Sequence, residues 1–198
     1  MNTKFDYKQY WEVTYSNNGN SGAGSYGILA EFKAHVVSDF VPDYPNINVI
    51  EFGCGDGHQL SLMHYRKYLG LDVSKTAIAT CASLFDSDSS KSFLVYDPKH
   101  FQGRLRADLV VCLDVLYHIT DEEDFVKTLD DIFSCRSPRI ALYTRLPDAV
   151  PSNVETICDR DIFKYLAKYS ERILSMRIVK QKHPELSSAD FILLKVKT

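Results

Sequence analysis

Apolar and polar positions follow two rhythms along this chain. From residue 28 to 41, Leu29, Phe32, Val36, Val37 and Phe40 recur three or four apart, which predicts an amphipathic helix. Pro42 and Pro45 interrupt the chain, and the run Val49-Ile50-Glu51-Phe52 then predicts a buried strand holding a single carboxylate. Comparable apolar runs occupy 68–73, 93–97, 107–113 and 139–144, with helical candidates at 58–65, 75–85 and 121–135 between them. Asp121, Glu122 and Glu123 lie in the first turn of the last, where acids favour the helix dipole. This alternation predicts a mostly parallel α/β sheet. After a helix expected from Arg160 to Tyr169, two final apolar runs, 172–180 and 190–197, flank His183-Pro184-Glu185. That link is too short for a right-handed crossover, so these strands are expected to pair antiparallel.

Directly after the first strand stand Gly53, Gly55 and Gly57, alternating with Cys54 and Asp56. Glycines there let the backbone turn tightly and approach a ligand with no Cβ in the way. Dinucleotide folds use G-x-G-x-x-G to hold a pyrophosphate. Here the pattern is E-x-G-x-G-x-G, and Glu51 would repel a diphosphate while suiting a ligand that carries positive charge. Nineteen positions beyond Gly53, the second strand ends in Asp72, the spacing at which an acid accepts hydrogen bonds from ribose hydroxyls. A third run ends in Tyr96-Asp97, and a fourth runs into Leu113-Asp114.

These residues resemble class I S-adenosylmethionine-dependent methyltransferases: Glu51 to Gly57 match the first motif, Gly70, Asp72 and Ser74 the G-x-D-x-S after strand two, and Ala107-Asp108-Leu109-Val110 the opening of strand four. The resemblance implies a Rossmann-like seven-stranded sheet, order 3-2-1-4-5-7-6, with strand seven reversed and helices on both faces. It implies S-adenosyl-L-methionine as cofactor and S-adenosyl-L-homocysteine as product. Glu51 would then lie near the methionine portion, Asp72 by the ribose, Tyr96 and Asp97 by the adenine, and Leu113 and Asp114 by the adenine or methionine, with Gly53, Cys54, Gly55, Gly57 and Val73 also binding the cofactor. A nicotinamide oxidoreductase is disfavoured by Glu51 and by the terminal hairpin. The Asn-Pro-Pro-Tyr sequence associated with amino-group methylation of bases and glutamine is replaced by Leu113-Asp114-Val115-Leu116, which lowers the option of a protein or RNA N-methyltransferase. A non-catalytic cofactor-binding subunit of a larger complex is a further alternative.

His118 lies four residues after Asp114, on the same face of a helical turn, and a neutral imidazole there can take a proton from the acceptor. It is the catalytic candidate. The alternative is a histidine packed between Tyr117 and Ile119. Residues 10–27 carry Trp11, Tyr15 and Tyr26 among Gly, Asn and Ser. In class I methyltransferases such a segment covers the cofactor, and Gly19-Asn20-Ser21-Gly22-Ala23-Gly24-Ser25-Tyr26-Gly27 together with Leu29 to Ala34 and Leu113 to His118 resembles a set of bacterial enzymes associated with surface polysaccharide. Tyr26 is accordingly expected at the cofactor and Trp11, Tyr15, Tyr117 and Arg145 at the acceptor, Arg145 as holder of a phosphate or carboxylate. The acceptor expected is an O or N atom of a small molecule or a surface glycan precursor.

Composition narrows the rest. With 198 residues the chain suits one domain, a covering segment over 1–45 and a core over 46–198, able to bury about 70% of its unfolded surface. A formal charge of −3 gives no general attraction to polyanions, so a nucleic-acid acceptor is not expected. Five widely spaced cysteines, with no C-x-x-C pair, argue against a disulfide framework or a zinc site and for a reducing cytoplasm. No metal is expected at the site. Met1 to Tyr7 lack an apolar signal core, and no run reaches the ~20 residues that cross a membrane. Oligomeric state is not legible.

Overall fold

The computed structural model describes residues 5–103 and 105–198. Residues 1–4, the start of the stretch read as lacking a signal core, lie outside the described residues. Seven strands, β1 (Asn48–Phe52), β2 (Lys67–Asp72), β3 (Lys91–Val95), β4 (Leu109–Leu113), β5 (Arg139–Arg145), β6 (Ile173–Val179) and β7 (Ala189–Val196), form one sheet in the order β3-β2-β1-β4-β5-β7-β6. β1 to β5 pair in parallel, and β7 runs antiparallel to both β5 and β6. This is the Rossmann-like methyltransferase topology implied by the glycine and acid motifs.

Both faces of the sheet are covered, which is why the central strands read as continuous apolar runs. Successive residues point to opposite sides. Ile50 and Phe52, Val110 and Cys112, Ile140 and Leu142, and Ile192 and Leu194 enter one core, against Phe125, Leu129 and Ile132 of α5 (Glu122–Ser134). Val49, Leu109, Val111, Leu113, Ala141, Tyr143 and Phe191 enter the other, against Phe32, Val36 and Val37 of a helix spanning Gly27–Phe40.

Two local readings change, and one helix adds to them. Residues 58–65 make only a short helix, His58–Ser61, because Met63 and Tyr65 are drawn into the second core and the chain must reach β2 at Lys67. β3 stops at Val95, so Tyr96 and Asp97 follow the strand instead of ending it. The aromatic stretch before residue 17 contains a regular helix, Tyr7–Ser16, capped by the Asp6 carboxylate, which accepts from the Lys8 and Gln9 N–H groups. In chain order the helices are α1 (Tyr7–Ser16), α2 (Gly27–Phe40), α3 (His58–Ser61), α4 (Lys75–Leu84), α5 (Glu122–Ser134) and α6 (Ile162–Leu166), the last continued by a 3₁₀ turn, Ala167–Tyr169.

Candidate active site

The parallel strands deliver their C-terminal ends to one edge of the sheet, where α/β folds place ligands. The cleft there has about 820 Å³ of empty volume, counting the part open to solvent. Its floor is the turn after β1. Gly53, Gly55 and Gly57 all take positive φ, at 82°, 55° and 81°. A Cβ on Gly53 would stand 2.1 Å from Val115 Cγ2, and one on Gly55 2.2 Å from Ser21 Oγ. The glycines are therefore required both by conformation and by space. The Gly53 and Cys54 N–H groups bond the Leu71 carbonyl at 2.7 and 3.0 Å, which ties the turn to the end of β2.

Asp72 is placed by that tie. Its carboxylate accepts the Gly55 N–H at 2.9 Å and the Ser74 N–H at 2.9 Å, one on each oxygen, so each oxygen keeps a second acceptor position. Burial raises its pKa to about 6, against those hydrogen bonds. Glu51 is 2% exposed and accepts the Tyr68 hydroxyl at 2.5 Å. Burial raises its pKa to about 7, opposed by the Tyr68 bond and the Lys33 charge. Gln59 donates to the Ala30 carbonyl, while its buried Oε1 has no partner. Two acids and an orphaned acceptor lining the cleft fit a ligand rich in N–H and O–H donors and in positive charge.

The segment after β4, the strand beside β1, also lines the cleft. Asp114 adopts φ 61°, a costly value for a non-glycine residue. Its oxygens are held by Lys33 Nζ at 2.6 Å and the Tyr117 hydroxyl at 2.7 Å. A 3₁₀ turn, Leu116–His118, follows. His118 Nδ1 lies 2.7 Å from the Thr156 carbonyl. A carbonyl only accepts, so Nδ1 carries the proton and the neutral ring keeps its lone pair on Nε2. Burial lowers the His118 pKa, against the Thr156 bond and the Asp114 charge.

α1 and the chain after it cover the cleft. Trp11 meets His118 edge-on, with centroids 5.3 Å apart, and stacks on Tyr15. Glu12 accepts the Ser74 and Thr76 hydroxyls at 2.7 and 2.6 Å, an anion at the N-terminus of α4. Asp56 fastens the glycine-rich loop: it accepts the Ser21 N–H and the Tyr26 hydroxyl, both at 2.8 Å, and its own N–H donates to Ser21 Oγ at 3.0 Å.

Of the residues singled out in the sequence, Trp11, Tyr15, Glu51, Gly53, Cys54, Gly55, Asp72, Val73, Tyr96, Leu113, Asp114 and His118 line this cleft. Gly57 sits just below it as the N-cap of α3. Tyr26 stacks on His58 at 4.1 Å beside the Asp56 latch, and Tyr117 lies behind the cleft wall, bonded to Asp114 and packed on His118. Asp97 points to Lys8 and His100, whose hydrogen bonds outweigh burial and hold its pKa at about 2. Arg145 is turned away, bonded to Asp159, Ser188 and the Val150 carbonyl. Lys33, Asp56 and Gln59 also line the cleft and carry its electrostatics. Lys33 sits on an amphipathic helix where a lysine reads as solvent-facing; Asp56 and Gln59 adjoin the glycine motif, the signal by which they could have been found. Among the described residues no three His, Cys, Asp or Glu side chains group as a metal site, and no helix is long and apolar enough to cross a membrane.

The sheet order, the glycine turn and the acid closing β2 define a class I S-adenosylmethionine-dependent methyltransferase. The chain belongs to the methyltransferase-domain family, whose model matches residues 28–190. No curated sequence matches it significantly. Among solved structures it is similar to the N-methyltransferase NodS from Bradyrhizobium japonicum WM9 with S-adenosyl-L-homocysteine (TM-score 0.67, 17% identity, 97% of this chain and 98% of that one). It is also similar to magnesium protoporphyrin IX methyltransferase from Synechocystis PCC 6803 with bound S-adenosylmethionine (0.65, 17%, 100% of both). The N-terminal domain of EvdMO1 with S-adenosyl-L-homocysteine aligns at 0.67 with 13% identity, covering 98% of both.

Proposed function

We propose that this enzyme transfers the methyl group of S-adenosylmethionine to a hydroxyl or amine of a small molecule or a surface-glycan precursor, with His118 as the general base. The observation that carries the reading is the 2.7 Å contact of His118 Nδ1 with the Thr156 carbonyl, which leaves Nε2 as the basic atom of a cleft-lining ring. Bound S-adenosylmethionine supplies an activated methyl group. In this reading Asp72 holds the ribose hydroxyls, Gln59 Oε1 and Glu51 face the ammonium and sulfonium charges, and Val73, Tyr96 and Leu113 bound the adenine. Trp11 and Tyr15 close the acceptor side and exclude water, so positioning supplies much of the rate. His118 removes the acceptor proton as the new bond forms.

Lys33 is paired with Asp114 and Arg145 is turned away, so the reading favours a neutral or amine-bearing acceptor over a phosphorylated one. In this reading the part before residue 46 supplies the cover and the helix α2, which packs on one face of the sheet, and 46–198 the Rossmann-like core. Five free cysteines and a charge of −3 are in keeping with a cytoplasmic enzyme of small acceptors. The test pairs calorimetry with an assay of S-adenosyl-L-homocysteine release over a panel of sugars, amino sugars and their phosphates. His118→Ala should leave cofactor affinity unchanged and slow turnover about 10²–10⁴-fold; turnover near wild type would remove the base assignment.

A further inference from the structure

The fifteen residues from Pro147 to Asp161 run between β5 and α6 with no helix or strand of their own, and none of them is buried. Val150 is 82% and Val154 55% exposed. Apolar burial therefore does not hold this strap; two arginines do. At its start, Arg145 is itself 7% exposed and donates Nε–H to Asp159 Oδ1 at 2.6 Å, while its terminal nitrogens reach Ser188 Oγ and the Val150 carbonyl. The other Asp159 oxygen accepts the Ser152 N–H at 2.7 Å. At its end, Arg160 donates to the Ile119 carbonyl and to Glu122, both at 2.8 Å, with its guanidinium 4.2 Å from the centre of the Phe125 ring.

Between these clamps the strap touches the turn that carries His118 at two points. The Cys158 N–H donates to the Tyr117 carbonyl at 2.8 Å, and the Thr156 carbonyl accepts from His118 Nδ1. Arg145 and Asp159 thus draw positions 150, 152 and 159 together, and the carbonyl of residue 156 lies inside the loop they close.

We propose that Arg145 and Asp159 are positioning residues for the methyl transfer: by closing the strap they hold the Thr156 carbonyl on His118 and so fix the tautomer that leaves Nε2 basic. The inference rests on the reading of His118 as base. The planar guanidinium fork makes the closure geometric as well as electrostatic. A lysine at 145 keeps the charge and loses the fork.

The experiment is long-range proton–nitrogen NMR on ¹⁵N-histidine-labelled full-length protein saturated with S-adenosyl-L-homocysteine, which reads the His118 tautomer directly. Wild type should show protonated Nδ1. Arg145→Ala and Asp159→Asn should each convert His118 to a mixture with protonated Nε2 and lower kcat with the cofactor KM unchanged, and Arg145→Lys should recover part of both. A His118 tautomer unchanged in a folded Arg145→Ala or in Asp159→Asn overturns the inference; should Arg145→Ala not fold, Asp159→Asn, which keeps the side-chain volume, decides it alone. The base reading fails separately, through normal turnover of His118→Ala, and the tautomer result stands whichever way that falls.

Discussion

Lys33 Nζ lies 2.6 Å from Asp114 Oδ2, joining the helix before β1 to the turn after β4 across the cleft wall, with the lysine 1% exposed. Gly24 packs so closely on the same carboxylate that a Cβ there would stand 2.9 Å from Oδ2. The ion pair therefore joins α2 to the post-β4 turn, and the glycine-rich loop packs against its carboxylate. It also gives Asp114 a reason to hold its unusual φ of 61°.

Breaking the pair on one side leaves a desolvated charge. Lys33→Met should destabilise the fold by about 3–5 kcal/mol, the usual cost of removing one partner of a buried pair. Adding Asp114→Asn should recover much of that loss, since the orphaned charge is gone. Urea unfolding of the two single variants and the double variant gives the coupling. Additive losses would mean that the two residues are not energetically linked.

The Asp56 latch predicts a local effect. Asp56→Ala removes the acceptor of the Ser21 N–H and of the Tyr26 hydroxyl, bonds to a charged group worth about 1.5–3 kcal/mol each. Amides of residues 19–26 should exchange at least about tenfold faster while β1 and β4 amides keep their protection. Hydrogen exchange with mass spectrometry checks this, and an unchanged rate at Ser21 would show that the loop is held elsewhere.

The sheet was legible because its signals are local or periodic. Apolar runs mark the strands, the three- and four-residue spacing in 28–41 marks α2, and Glu51, Gly53 and Asp72 announce their places by spacing. What was not legible depends on where long side chains reach. Arg145 stands at the expected rim, yet its guanidinium turns to Asp159, fourteen residues on; no periodicity encodes that choice. Asp97 likewise ends up on Lys8, a partner 89 residues earlier in the chain. α1 escaped because its aromatic and polar residues make no strong apolar stripe; Asp6 before it was the one start signal.

Asp72 holds the glycine turn and, in the proposed reading, also the ribose, so its substitutions should separate the two. Asp72→Ala should weaken S-adenosylmethionine by roughly 1–3 kcal/mol through lost charge-assisted bonds, and should also loosen the glycine turn by depriving the Gly55 and Ser74 N–H groups of their partner. Asp72→Asn keeps one acceptor oxygen and should recover part of the stability but less of the affinity. Calorimetry and thermal unfolding on both variants check this; full affinity in Asp72→Ala would remove the ribose assignment.

Glu51 and Asp72 predict the pH dependence of cofactor binding. Both have native pKa values raised by burial, to about 7 and about 6, above the ordinary values of about 4.3 and 3.9 for Glu and Asp. Between about pH 4 and 7 the native state therefore binds more protons than the unfolded chain, so their contribution to the stability of the ligand-free protein is present in full at the acid end and is lost as the pH rises through 7. A cationic ligand reverses the preference, because it favours the ionised carboxylates. S-adenosylmethionine should bind more tightly as the pH rises from 5.5 to 7.5, approaching tenfold per unit where a single proton is released. S-adenosyl-L-homocysteine, which has no sulfonium charge, should show a shallower rise. Glu51→Gln should flatten the upper part of the curve and leave the part governed by Asp72. Calorimetric titrations of both ligands at half-unit steps of pH measure it, and parallel curves for the two ligands would show that neither acid senses the sulfonium.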